Sequence, residues 1–302
     1  VYILWLHSYI VVILFRFFHL LTVKKPIKYN IMTAENSITS VQNTKIKHLL
    51  LLQQKSSERR KCGLFVVEGV RELLHCVQAG YQIDTLFYCS ELMPDNEEAR
   101  KLQAFIDEKR SFRVSKDIYS RMAYRGTTEG VIAEITVHHT TLNDLKLPDN
   151  PLICVLERVE KPGNLGAVLR SADAAQADAV IVCDPLTDLF NPNLIRSSIG
   201  AIFTVPTVAC SSAECIEFLK ARGIRILTAQ LQDSHLYYDT DMCKGTAIVM
   251  GTEATGLSKA WRIAADAHIR IPMLGQLDSL NVSVSAAILL FEAVRQRGSE
   301  AL

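Results

Sequence analysis

The chain has 302 residues, 49% of them apolar, and 33 Lys or Arg against 32 Asp or Glu, for a net charge of +1. That length suits two domains with sizeable cores. The near-zero charge excludes a globally basic nucleic-acid binder, so any RNA contact must come from a local patch.

The first 23 residues are rich in Ile, Leu, Phe and Val and are about long enough to cross a bilayer. His7, Arg16 and His19 interrupt the stretch, and no small-residue cleavage site follows. Residues 1–31 therefore read as a non-native or disordered upstream extension of a start at Met32. The pattern then predicts a helix over 41–61, with Ile46, Leu49, Leu50 and Gln53 at helical spacing. Its other face is basic. Lys45, Lys47, Lys55, Arg59, Arg60 and Lys61 stand against Glu35 and Glu58 between Thr33 and Cys62. Alone, such a run is as well explained by a solvated helix face as by an RNA footprint.

Strand and helix then alternate. Strands are predicted at 64–68, 83–89, 112–114 and 130–137, and helices at 70–79, 94–110 and 116–123. Residues 32–140 thus form a small α/β domain. The polar stretch from His138 to Pro151 carries two prolines and Asn–Asp turn signals, so 141–151 reads as a linker. His138 and His139 are adjacent and would point to opposite sides of a strand, which argues against a metal pair.

From Leu152 the alternation resumes, with strands predicted at 152–157, 179–183, 203–208, 224–229, 246–250 and 268–271. Helices are predicted at 164–176, 192–199, 212–222, 258–265 and 282–297. Apolar strands separated by helices imply a mostly parallel sheet covered on both faces. Eight scattered cysteines form no C-x-x-C pair, and Cys210 and Cys215 have no histidine at zinc-like spacing. They read as buried reduced thiols, which points to a reducing compartment, the cytoplasm, and to no metal. The loop Gly251-Thr-Glu-Ala-Thr-Gly-Leu257 lacks the Lys of a phosphate-binding Walker loop, and Gly163-Asn-Leu-Gly166 lacks the third glycine of a dinucleotide fingerprint.

Three segments carry more specific information. Leu156–Asp173 contains Asn164, Gly166 and Arg170; Ile248–Ser258 contains Gly251, Glu253 and Gly256. Ile271–Ile288 contains a Pro-Met-x-Gly-x-x-x-Ser-Leu-Asn run, which is more than a helix cap requires. Their order and spacing resemble the motifs of the SpoU/TrmH family of RNA ribose 2′-O-methyltransferases. Residues 40–137 are more weakly similar to that family's N-terminal substrate-binding domain.

The resemblance implies a SPOUT-type α/β fold with a C-terminal trefoil knot in 152–302, and a homodimer whose site lies near the subunit interface. It implies S-adenosylmethionine as cofactor, with Gly251, Ile271 and Leu280 at the contacting positions. Arg170, Asn164, Glu253, Ser279 and Asn281 fall at catalytic or site-forming positions. Beside these motifs the basic segment reads as an RNA footprint, through Lys45, Lys47, Arg59, Arg60 and Lys61. Arg196 and Ser198 are further candidates for phosphate contacts. The extra N-terminal domain points to ribosomal RNA as substrate, with transfer RNA methylation as the rival. A catalytically silent RNA-binding or ribosome-assembly factor is the alternative from another class.

Overall fold

A computed structural model describes residues 36–124, 129–252 and 255–298 of the chain. The stretch read as an upstream extension lies outside the described residues. Two sheets organise the rest. The first has five strands: β1 (Ser37–Ile38), β2 (Leu64–Glu68), β3 (Ile83–Tyr88), β4 (Ser111–Val114) and β5 (Val131–Thr136), in the order β1-β4-β3-β5-β2. It is mixed, with β5 antiparallel to both β2 and β3. Its helices are α1 (Thr44–Gln54), α2 (Ser56–Cys62), α3 (Val70–Gln78), α4 (Glu97–Gln103) and α5 (Lys116–Met122).

The second sheet has seven strands: β6 (Leu152–Glu157), β7 (Ala179–Cys183), β8 (Thr207–Cys210), β9 (Arg225–Ala229), β10 (His235–Leu236), β11 (Thr246–Met250) and β12 (Ala267–Arg270). Their order is β10-β12-β9-β11-β6-β7-β8, and every pairing is parallel. The helices are α6 (Pro162–Ala174), α7 (Pro192–Ser197), α8 (Ala201–Thr204), α9 (Ser212–Ala221), α10 (Lys259–Ala264) and α11 (Val282–Gln296).

The central strands β6, β7 and β11 are buried along their whole length. Side chains alternate between the two faces of a strand, so each face builds its own core. Leu152, Cys154, Leu156, Ile248 and Met250 enter one cluster, while Ile153, Val155, Ala247 and Val249 enter the other. The first cluster runs on without a break into the five-stranded sheet. Phe65 of β2 stacks on Phe190 at 4.4 Å between ring centroids and on Phe203 at 6.1 Å. The connector is packed as well. Thr141 and Asp144 cap a short 3-10 turn, and Leu145 is buried against the second cluster.

Three elements differ from their predicted form. The helix over 41–61 is broken at Lys55, whose extended backbone (φ −119°, ψ 112°) separates α1 from α2. The helix predicted to reach Arg110 stops at Gln103, followed by a 3-10 turn at Glu108–Arg110. The strand predicted at 203–208 is split into α8 and β8 around Pro206, which has no N–H to give a sheet ladder.

Candidate active site

In open parallel sheets the strand order reverses at a switch point, and crevices form outside the carboxyl ends there. Here β11 lies between β6 and β9, although it follows both in sequence. A cleft of about 430 Å³ opens at the carboxyl ends of β9, β11 and β12. Gly251, Ile271 and Leu280 all line it, together with Ser279. The glycines are set by geometry. A Cβ at Gly251 would run into the backbone of Gly256 and Leu257, and Gly256 itself has φ +64°. Gly251 and Thr252 therefore pack tightly against Gly256 and Leu257 at the edge of the cleft.

Gln230, one of the lining residues, carries an unpaired acceptor. The Gln230 side-chain oxygen is buried without a hydrogen-bond partner, although its amide nitrogen donates to the Gln232 carbonyl at 2.9 Å. An orphaned acceptor of this kind costs free energy until a donor meets it. Arg262, Arg270 and Asp278 add charges of both signs to the lining. That donor set fits a zwitterionic, hydroxyl- and amine-bearing ligand.

A smaller cleft of about 140 Å³ adjoins the first, sharing Met250, Gly251, Thr252 and Val282. It reaches the carboxyl end of β6 through Glu157, Arg158 and Lys161, and Asn164 lines it. Asn281 stands between Leu280 and Val282, which line the larger cleft, and bonds to Asn164 of the smaller one. Its side-chain oxygen caps α11 by accepting from the Ser283 N–H at 3.0 Å, while its amide nitrogen donates to the Asn164 oxygen at 3.2 Å. Asn164 sits inside α6, whose N-cap is Lys161, so pairing with Asn281 rather than capping is its local role. Buried Glu157 steadies the same region by accepting from the Ser258 N–H at 2.8 Å, just past the glycine loop.

Several predicted site residues lie elsewhere. Arg170 is exposed on α6 and lines neither cleft. Six residues along a helix turn it by roughly 600°, which leaves Arg170 about 120° around from Asn164. The two cannot face the same cleft of one chain. Glu253 lies outside the described residues.

The predicted RNA contacts divide sharply. Arg59 is buried: it pairs with Asp188 at 2.7 Å and donates to the Leu52 carbonyl at 2.6 Å, so it braces the seam and offers nothing to a phosphate. Ser198 is buried too, its hydroxyl donating to the Ile195 carbonyl at 2.9 Å. Lys45, Lys47, Arg60 and Lys61 are exposed, with Lys45 resting 4.8 Å over the Phe112 ring. Arg196 is exposed and lines a separate cleft of about 180 Å³ beside Glu68, Arg71, Glu72 and Glu129. Burial pushes the Glu68 carboxyl up, while the Tyr124 N–H and Arg196 pull it back. Gln230, Arg262 and Arg270 were missed among the cleft residues. The available signal for Gln230 was its place directly after a strand that borders the switch point.

A fold of parallel strands with a cleft at the switch point, closed by a glycine loop and a helix-capping asparagine, defines a class, and the comparisons name it. The SpoU rRNA Methylase family matches residues 151–291, and an MRM3-like substrate binding domain matches 43–133. The 23S rRNA (uridine(2479)-2′-O)-methyltransferase of Streptomyces viridochromogenes is 30% identical, covering 87% of this chain and 93% of its own length. The chain belongs to the SpoU family of RNA 2′-O-methyltransferases. A crystal structure of an RNA 2′-O ribose methyltransferase is 38% identical with a TM-score of 0.75, covering 86% of this chain and 99% of that one. The AdoMet-bound rRNA methyltransferase from Sinorhizobium meliloti superposes with a TM-score of 0.78 at 28% identity, over 87% of this chain and 98% of that one.

Proposed function

We propose that this chain methylates the ribose 2′-oxygen of ribosomal RNA, using S-adenosylmethionine held in the larger cleft. The observation that carries this is the meeting of Gly251, Ile271 and Leu280 around one cleft. The main chain around these residues would hold the cofactor, and Gln230 would accept from one of its hydroxyl or amine groups. Bound S-adenosylmethionine supplies a methyl group on a sulfonium leaving group. The protein's task is then to align the 2′-hydroxyl and see its proton removed, and alignment alone is worth several kcal/mol. The smaller cleft beside Gly251 is where the ribose would sit, oriented by the Asn164–Asn281 pair and Ser279, with Glu253 in the adjoining loop.

Arg170 holds the acceptor phosphate and stabilises the developing oxyanion; a guanidinium keeps its proton too firmly to act as an ordinary base. Since it lines neither cleft of its own chain, it serves the cleft of a second copy. An exposed apolar strip supports such pairing: Leu274 and Leu277 are 95% and 76% exposed, and Leu280, Val284 and Phe291 continue it along the start and outer face of α11. The trefoil knot of the 152–302 domain belongs to the same reading, as do the division into a 32–140 substrate-binding domain, a 141–151 linker and that knotted domain. All eight cysteines are free thiols, which supports a cytoplasmic setting.

The test is methyl transfer from labelled S-adenosylmethionine to purified ribosomal and transfer RNA, followed by alkaline hydrolysis. Label in alkali-resistant dinucleotides from large-subunit RNA is expected. Label confined to transfer RNA would favour the rival substrate. No cofactor binding at all would favour a silent RNA-binding or assembly factor. Mixing Arg170→Ala chains with Gly251→Val chains should restore part of the activity that each lacks alone; no restoration would place Arg170 outside a shared site.

A further inference from the structure

Away from the clefts above, three cysteines converge. The sulfurs of Cys183, Cys210 and Cys215 all lie within 4.8 Å of one another. They come from three elements: the end of β7, the end of β8, and the first turns of α9. Cys183 and Cys210 are partners in the parallel register of β7 and β8, which puts their side chains on the same face, the face that α9 covers with Cys215. The backbone is fixed on all sides. The Cys183 carbonyl accepts from the Arg158 N–H at 2.8 Å, the Cys210 carbonyl from the Asp184 N–H at 2.9 Å, and the Cys215 N–H donates to the Ser211 carbonyl at 3.1 Å. Cys183 and Cys215 are buried, while Cys210 is half-buried and lines a cleft of about 600 Å³.

We propose that Cys183, Cys210 and Cys215 form a binding site for one thiophilic d10 cation, zinc(II) or copper(I). A metal–sulfur bond of about 2.3 Å in tetrahedral geometry sets sulfurs about 3.8 Å apart, so three sulfurs already within 4.8 Å need small side-chain shifts. Thiolate is the ligand such ions prefer. The cleft beside Cys210 provides the entry path. Its solvent would fill the fourth corner for zinc(II), whereas copper(I) is satisfied by the three sulfurs. On binding, three metal–sulfur bonds form and each ligating thiol gives its proton to solvent. Sequence spacing hides the set, because Cys183 stands 27 residues before Cys210 and no C-x-x-C pair is present.

The test uses the full chain, reduced and stripped of metal. Zinc(II) is titrated against a chromophoric chelator, and copper(I) separately against bathocuproine; one-to-one capture of either ion counts for the site. Cobalt(II) substitution should give a thiolate-to-metal charge-transfer band. One ion per chain is expected, with release of protons. Affinity should fall by about 100-fold in Cys210→Ser and in Cys215→Ser, and stay unchanged in the Cys62→Ser, Cys243→Ser double variant, which removes the exposed thiols. Should a serine variant fail to fold, protection of Cys210 from alkylation by bound zinc(II) or copper(I) in the native chain supplies the same answer. Uptake of neither ion, uptake that survives both serine variants, or unchanged alkylation of Cys210 would each overturn the proposal.

Discussion

The two sheets put their polar groups to opposite uses. At the carboxyl ends of β9, β11 and β12, backbone turns face outward, and the Gln230 oxygen waits for a donor. Around the five-stranded sheet, a few charges are turned inward and paired. Arg59 meets Asp188 between the two sheets, and buried Glu134 pairs with His48 at 3.0 Å. The larger cleft thus presents polar and charged groups to a ligand, while Arg59 in the other region uses its charge to brace the two sheets. Lys45, Lys47, Arg60 and Lys61 are among the charges that stay open to solvent.

The sharpest break in this contrast is Arg59→Ala. It would strand Asp188 and the Leu52 and Gln53 carbonyls in a largely dry seam. Losing one partner of a buried pair costs about 3–5 kcal/mol, so the melting temperature should fall by many degrees. Arg60→Ala, one position on, should leave it unchanged. Equal melting temperatures for the two variants would undo the division between bracing and solvent-facing charge.

Next in size is Gly251→Ala. The added methyl meets the backbone of Gly256 and Leu257, so the loop must move. Overpacking of this kind costs about 1–3 kcal/mol, which would appear as a roughly 10- to 100-fold loss of S-adenosylmethionine affinity in calorimetry. The salt dependence of RNA binding, set by phosphate contacts on the exposed basic residues, should be unchanged. Should RNA affinity drop in step with cofactor affinity, the two regions are not separate.

Much of this was legible because burial is written into runs of residues. Strands β2, β7 and β11 match their predicted bounds, since a continuous apolar run between turn residues leaves little choice. Gly251 was legible through the motif resemblance, and its tight contact with the Gly256 and Leu257 backbone is the physical reason a side chain does not fit there. What stayed hidden depends on partners far away in sequence. Arg59, Arg60 and Lys61 look alike in the chain, but only Arg59 finds Asp188, 129 residues later. The break at Lys55 falls just before Ser56, Ser57 and Glu58, residues that favour a helix start over a helix interior. Arg170 and Asn164 share a motif yet face different directions, since spacing along a string ignores the turn of the helix.

A smaller effect is expected from Arg60→Ala combined with Lys61→Ala. Both side chains are exposed, and Lys61 makes only a surface pair with Glu58 at 3.6 Å. Removing two phosphate contacts should flatten the slope of log affinity against log salt by about 1 to 2. Stability and cofactor affinity should hold. An unchanged slope would remove α2 from the RNA footprint.

The smallest effect concerns Glu68, which sits in the cleft shared with Arg196. Burial raises its carboxyl above the ordinary 4.5, more than the Tyr124 N–H and Arg196 lower it. The folded chain therefore holds this proton more tightly than the unfolded chain does. The sign follows from linkage: where the native state binds more protons, stability falls as pH rises. The loss should begin near the unfolded value and be complete once pH passes the raised folded value. Glu68→Gln removes the titration while keeping an oxygen to accept from the Tyr124 N–H, found at 2.8 Å. Its melting temperature should thus lose that acid-side slope and, at neutral pH, equal or exceed that of the parent. Arg196→Ala should act the opposite way, raising the carboxyl further and moving the loss to higher pH. If the Gln variant shows the parent's slope, Glu68 is ionised in the fold at no cost. Its cleft would then join the solvent-facing charge of the N-terminal region instead of its inward bracing.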